Sequence, residues 1–268
     1  MSREEGVVPA VLAVSSMEAN DATKDRTYRI YQMNISVLAF GPHPDDVELF
    51  AGGTLHKMKT LGYRTAIVDL TRGELATRGT VTRRGKESQA AAETLGVEVR
   101  DNLGMPDGGI ENTQDSRMQV VKAVRKYRPT IALAPHPVAR HPDHARASGL
   151  IRDACFLAGL AEIDTEQERF RPTTVLYYFE HVFEGMPDIV VDITGHFDSK
   201  MKAVRAYKSQ FYRPGQSGPE TYLSRKEYLE EVEARARFFG SLIEVKYGEA
   251  FDVSGPVRVS DPVAMWSS

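Results

Sequence analysis

The stretch Ile35-Ser36-Val37-Leu38-Ala39-Phe40-Gly41-Pro42-His43-Pro44-Asp45-Asp46-Val47-Glu48 joins a short apolar run to a polar, proline-flanked turn. Residues 35–41 carry no charge and read as a buried strand. A loop follows, and residues 46–61 read as a helix ended by Gly62. Pro44 suits an early helical position, where a missing N–H has no partner to lose. Asp45 and Asp46 then sit in the first turn, where the helix dipole favours carboxylates in their ionised form.

Working outward, the same alternation repeats. Strands are predicted over 66–70, 98–103 and 130–134, and helices over 84–95, 116–127 and 141–160. Later strands are predicted over 174–179 and 189–193, and helices over 196–207 and 224–239. Short apolar runs separated by helical patterns imply βαβ units, hence an α/β fold with a mostly parallel sheet and helices on both faces. Ligands bind such sheets at the carboxyl ends of the strands.

Two clusters fall at that rim. One is His43-Pro44-Asp45-Asp46 after the first strand. The other is Arg140-His141-Pro142-Asp143-His144, after the strand ending near Pro135. His43 and Asp46 are three residues apart, as are His141 and His144. One imidazole of the second cluster added to His43 and Asp46 makes three protein ligands, the number that a catalytic zinc site offers beside one water. Paired carboxylates at a helix start also serve as ordinary caps, but two such clusters at strand-to-helix junctions favour a metal.

Composition narrows the class. The 268 residues are 41% hydrophobic and 26% charged, with a net charge of -3, which suits one globular domain and gives no basic surface for nucleic acid. No apolar run reaches the ~18 residues of a membrane helix. The lone Cys155 excludes an intrachain disulfide and fits a reducing, cytoplasmic setting. Residues 1–33 lack a periodic pattern and a basic leader; they read as a disordered extension or a start assigned too far upstream, with a short ordered surface arm as the alternative, ahead of a single domain over 34–268. Gly52-Gly53 lacks the G-x-G-x-x-G spacing of a dinucleotide site, which argues against a nucleotide-binding domain of the same topology.

Leu38-Ala39-Phe40-Gly41-Pro42-His43-Pro44-Asp45-Asp46 with Glu48 resembles the signature of the LmbE-like, or PIG-L-type, N-acetylglucosaminyl deacetylases. Thr71-Arg72-Gly73-Glu74 with Gly79-Thr80, Arg84 and Glu87 resembles a second block of that family, and Arg140-His141-Pro142-Asp143-His144 a third. The similarity runs on through Ala206-Tyr207-Lys208-Ser209-Gln210-Phe211 and Tyr247-Gly248-Glu249-Ala250-Phe251. The pattern is most similar to the branch that deacetylates GlcNAc-malate in bacillithiol biosynthesis; Ala76 departs from it, where relatives commonly carry Gly.

The resemblance implies a Rossmann-like three-layer sandwich and a small-molecule glycoside substrate, with the chain assembled as a homo-oligomer, in near relatives a hexamer. It implies that His43, Asp46 and His144 hold Zn2+, that Asp45 is the general base, and that a protonated His141 stabilises the oxyanion, oriented by Asp143. It implies a substrate contact for Arg84, with Tyr207 as the candidate tyrosine. Arg84 is then the guanidinium expected to grip a carboxylate of malate.

Overall fold

The computed structural model describes residues 34–215 and 218–265. The extension read over residues 1–33 lies outside the described residues. The described residues form one compact unit.

Seven strands make one sheet in the order β3-β2-β1-β4-β5-β7-β6. They are β1 (Val37–Gly41), β2 (Thr65–Thr71), β3 (Val99–Met105), β4 (Ile131–Pro135), β5 (Thr174–Tyr178), β6 (Ile189–Asp192) and β7 (Gly248–Val253). The first five run parallel. β7 pairs antiparallel with both β5 and β6. β1 and β2 are buried along their whole length. Strands covered on both faces need continuous apolar runs, and Val37-Leu38-Ala39-Phe40 and Ala66-Ile67-Val68 provide them. β3 lies at the edge, which its half-exposed Val99-Arg100-Asp101-Asn102 tolerates.

The helices are α1 (Asp46–Thr60), α2 (Val81–Leu95), α3 (Gln114–Tyr127), α4 (Pro142–Leu157), α5 (Phe197–Val204), α6 (Tyr228–Ser241) and the short α7 (Pro262–Met265). α1 packs against α2 and α5, while α3 packs against α4. With right-handed crossovers this places the two groups on opposite faces of the sheet. The main core lies under the first group. Val47, Phe50, Leu55 and Leu95 meet Phe197, Met201, Val204 and Phe251 there. The α/β sandwich expected from the sequence is the observed one, and β7, absent from that expectation, is the strand that makes the sheet mixed. None of the described helices is long and apolar enough to cross a membrane.

The connection from β1 leads to β2 on one side, while β4 pairs on the other. Chain order reverses between β1 and β4, and the crevice at the carboxyl ends of these two strands is where such sheets bind ligands. The two histidine clusters emerge there.

Candidate active site

The first cluster is held by an unusual backbone. Asp45 caps α1 with φ 118° and ψ -24°, in left-handed space that a residue with a Cβ rarely occupies. Such a residue costs on the order of 1–3 kcal/mol and persists only where its surroundings enforce it. Arg84, from the first turn of α2, does so. Its Nε and Nη2 donate to the Pro44 carbonyl at 3.0 and 2.7 Å, and Nη2 also donates to Asp45 Oδ2 at 2.9 Å. Gly73, at φ 64°, leaves room for this guanidinium; a Cβ there would stand 2.6 Å from Arg84 Nη1. Pro44 thus precedes the helix, and Asp45 is its cap with Asp46 the first helical residue.

Three donor atoms converge beside Asp45. His43 Nδ1 lies 3.3 Å from Asp46 Oδ2, His144 Nε2 lies 3.2 Å from the same oxygen, and the two ring nitrogens are 3.3 Å apart. Zinc bonds of 2.0–2.1 Å in a tetrahedron require donors about 3.3–3.4 Å apart. The triangle has that size, so these residues fit a tetrahedral metal ion with one position left for water. Each histidine also gives its outer nitrogen to a carboxylate. His43 Nε2 faces Asp107 Oδ1 at 3.0 Å and Asp143 Oδ2 at 3.2 Å, and His144 Nδ1 is hydrogen-bonded to Glu180. Carboxylates in these positions fix the tautomer that presents the other nitrogen to a metal.

The electrostatics agree. Burial alone would lower the pKa of both imidazoles. Hydrogen bonds to Asp107, Asp143 and Asp46 instead hold His43 well above its ordinary value, and Asp46 and Glu180 push His144 up to about 10. Burial works to raise Asp46, but His144 and His43 hold it well below the usual carboxylate range. Its neighbour behaves oppositely. Burial pushes Asp45 up to about 7, against the pull of Arg84. Adjacent carboxylates thus stand ready for different work, one as a fixed anion and one able to exchange a proton near neutrality.

His141 caps α4. Its Nδ1 accepts the Asp143 N–H at 3.2 Å, so in the neutral ring the proton sits on Nε2. Burial lowers its pKa, and His43 and His144 lower it further. These influences favour a neutral Nε2–H donor over the imidazolium expected at this position, against the opposing pull of Asp46 and Asp143. Asp143 also differs from expectation. Its fully buried carboxylate accepts Gly108 N–H at 2.8 Å and meets His43, so it orients His43 rather than His141.

Tyr207 is a further correction. It is fully buried, and its hydroxyl donates to Glu48 Oε1 at 3.0 Å, where Glu48 also pairs with Arg100. It stands beneath α1 and does not line the pocket. The tyrosines that do are Tyr222 and Tyr228. The pocket itself, roughly 350 Å³, brings His43, Asp45, Asp46, His141 and His144 together with Arg84, Asp107, Arg140, Glu180 and His181. Asp107 and Glu180 escape a reading of the sequence alone. Both closely follow a parallel strand at the same rim, β3 and β5, and that placement is the available signal. A larger hollow, about 560 Å³, opens at the start of β5. Its Arg117 and Arg152 are tied to Asn112 and Asp153, and no histidine lines it, so the smaller pocket carries the chemistry.

Comparison with known proteins agrees with this geometry. A model of the PIG-L family, described as GlcNAc-PI de-N-acetylase, matches residues 38–155. The diacetylchitobiose deacetylase of Thermococcus kodakarensis is 33% identical over 229 residues, 80% of this chain and 80% of that protein. A probable N-acetyl-alpha-D-glucosaminyl L-malate deacetylase 2 of Bacillus cereus is 27% identical over 194 residues, covering 66% of this chain and 84% of that one. Among solved structures, a conserved protein from Thermus thermophilus superposes with a TM-score of 0.77 at 38% identity, over 87% of this chain and 99% of the other. The chain belongs to the PIG-L family and is a metal-dependent amide hydrolase that deacetylates N-acetylglucosamine-type substrates.

Proposed function

We propose that the chain is a zinc-dependent hydrolase of the 2-acetamido group of a GlcNAc conjugate, with His43, Asp46 and His144 holding the metal. The observation that carries this reading is the donor triangle of 3.2–3.3 Å with a strained Asp45 outside it, at its edge. Zinc bound there lowers the pKa of its water to about 7 and polarises an amide carbonyl.

The chain's own groups do the rest. Asp45 accepts the proton of the attacking water and returns it to the departing amine. Its pKa, raised by burial, suits both transfers near neutrality. His141 donates Nε2–H to the oxygen on which charge develops, without needing to be protonated. Arg84 holds Asp45 and the Pro44 carbonyl in place. With its guanidinium so engaged, it acts on the base rather than on a substrate carboxylate.

Two aglycones compete. The identity to a diacetylchitobiose deacetylase favours a saccharide. The second reading is GlcNAc-malate, the bacillithiol precursor, and Arg140 favours it. This residue lines the pocket, stacks on Tyr222 at 4.6 Å, and forms no ion pair among the described residues, so it is the cation free to meet an acidic aglycone. A deacetylation assay across GlcNAc, diacetylchitobiose, GlcNAc-malate and GlcNAc-inositol, with bound metal measured, tests the proposal. Activity on none of them with zinc present would reject it. We further propose a homo-oligomer, in its fullest form a hexamer, and a cytoplasmic setting, on the family resemblance and the thiol content alone. Light scattering on the eluting protein tests the first.

A further inference from the structure

The segment leaving β5 is Phe179-Glu180-His181-Val182-Phe183-Glu184, and it is tied firmly to the metal triangle. Glu180 is hydrogen-bonded to His144. Glu184 turns back so that its carboxylate accepts the N–H of Glu180 at 3.0 Å and of His181 at 3.1 Å. This clamp sets what comes between. His181 lines the pocket, and the Phe183 ring lies flat on it, with centroids 4.9 Å apart and planes within 6°.

Phe183 is nonetheless 74% exposed. One exposed apolar side chain alone means little, but this one stacks on a ring that lines the pocket. Leu75, which lines the pocket, is 70% exposed, and Met186, three residues past Phe183, is 76% exposed. Tyr222, the exposed tyrosine lining the pocket, is already occupied. Arg140 and Arg225 lie over the Tyr222 ring at 4.6 and 4.4 Å, and Tyr228 meets it edge-on. Phe183 gives one face to His181 and keeps the other for solvent. Three residues span at most about 11 Å of chain, so the Phe183 backbone lies within that reach of Glu180, which is bonded to His144. A disaccharide whose acetamido group reaches Asp45 extends one pyranose ring beyond the reacting sugar. Pyranose rings carry an apolar C–H face, and a flat aromatic surface buries it.

We propose that Phe183, stacked on His181, is the platform for a second pyranose ring, so that the site takes an N-acetylated disaccharide or longer saccharide. This rests on the deacetylase reading of the same pocket and narrows its substrate class.

The test compares wild type with Phe183→Ala and Phe183→Trp, using diacetylchitobiose and monomeric GlcNAc. In Phe183→Ala the ratio of kcat/KM for the disaccharide to that for the monosaccharide should fall about tenfold, the scale of losing one partly buried aromatic face. Phe183→Trp should restore it. Since the side chain is exposed, the melting temperature should stay put. Calorimetric titration with diacetylchitobiose gives a readout apart from turnover, with Kd rising about tenfold in Phe183→Ala. An unchanged ratio, an equal loss on both sugars, or no binding of the disaccharide by wild type would overturn the platform. Binding that weakens as expected without any turnover would instead reject the deacetylase reading and leave the platform standing.

Discussion

The Asp143 carboxylate accepts from Nε2 of His43 at 3.2 Å, across one hundred positions of sequence, while only its backbone N–H meets His141 two residues away. The second cluster thus supplies one corner of the donor triangle, His144, and also the carboxylate that orients His43. Loss of such outer carboxylates commonly lowers metal affinity about 10–100-fold. Asp143→Asn and Glu180→Gln should each weaken zinc binding by that order, read by competition with a chromogenic chelator. If either variant bound zinc as tightly as wild type, the orienting role would fall for that residue.

Asp45 is placed beside the triangle without being one of its corners. Asp45→Asn should bind zinc with near-normal affinity and lower kcat by roughly 10²–10⁴-fold. Asn is also among the residues that best tolerate left-handed backbone, so folding should survive. Lost zinc in this variant would make Asp45 a ligand, and near-normal turnover would remove it as the base.

Arg84 and Arg140 should separate by substrate. Arg84→Lys loses the forked grip on the Pro44 carbonyl and Asp45, so kcat/KM should fall on neutral and acidic conjugates alike. Arg140→Gln should impair GlcNAc-malate more than diacetylchitobiose if malate is a substrate. A fall confined to GlcNAc-malate in Arg84→Lys would return that residue to the aglycone.

Metal binding should release protons. In the metal-free protein Asp46 and Glu180 push His144 up to about 10, and the carboxylates around His43 raise it as well, so the surroundings favour protonated imidazole at pH 7. A metal must displace those protons, so affinity rises with pH while the rings remain protonated, up toward pH 10 for His144. Calorimetry at about pH 7 in two buffers of different ionisation enthalpy should report at least about one proton released per zinc. No release would show the imidazoles already neutral.

Much of this is legible in the sequence because the central strands are short, uncharged runs that can only be buried. Both histidine clusters follow such runs closely, and that is why His43, Asp46 and His144 can be placed at one rim. β7 is not legible as a strand. Gly248-Glu249-Ala250-Phe251 carries a buried Glu249, whose charge is met by Lys200 from α5, and no local pattern announces that partner. Pairings across the sheet are hidden for the same reason. Asp107 and Glu180 take their roles only when β3 and β5 fall beside β2 and β4. Chain neighbours suggest one set of partners for Asp143 and Tyr207, while their side chains turn to His43 and Glu48.

The most direct test of the metal centre is a crystal structure of the zinc-loaded protein with anomalous data above the zinc edge. The account predicts one peak per chain, about 2.0–2.1 Å from His43 Nδ1, Asp46 and His144 Nε2, and no peak in a His144→Ala variant. His43 also groups with Asp107 and Asp143 on its other side, within reach of a metal. A peak at Nε2 of His43 between those two carboxylates, with Asp46 and His144 left bare, would contradict the account.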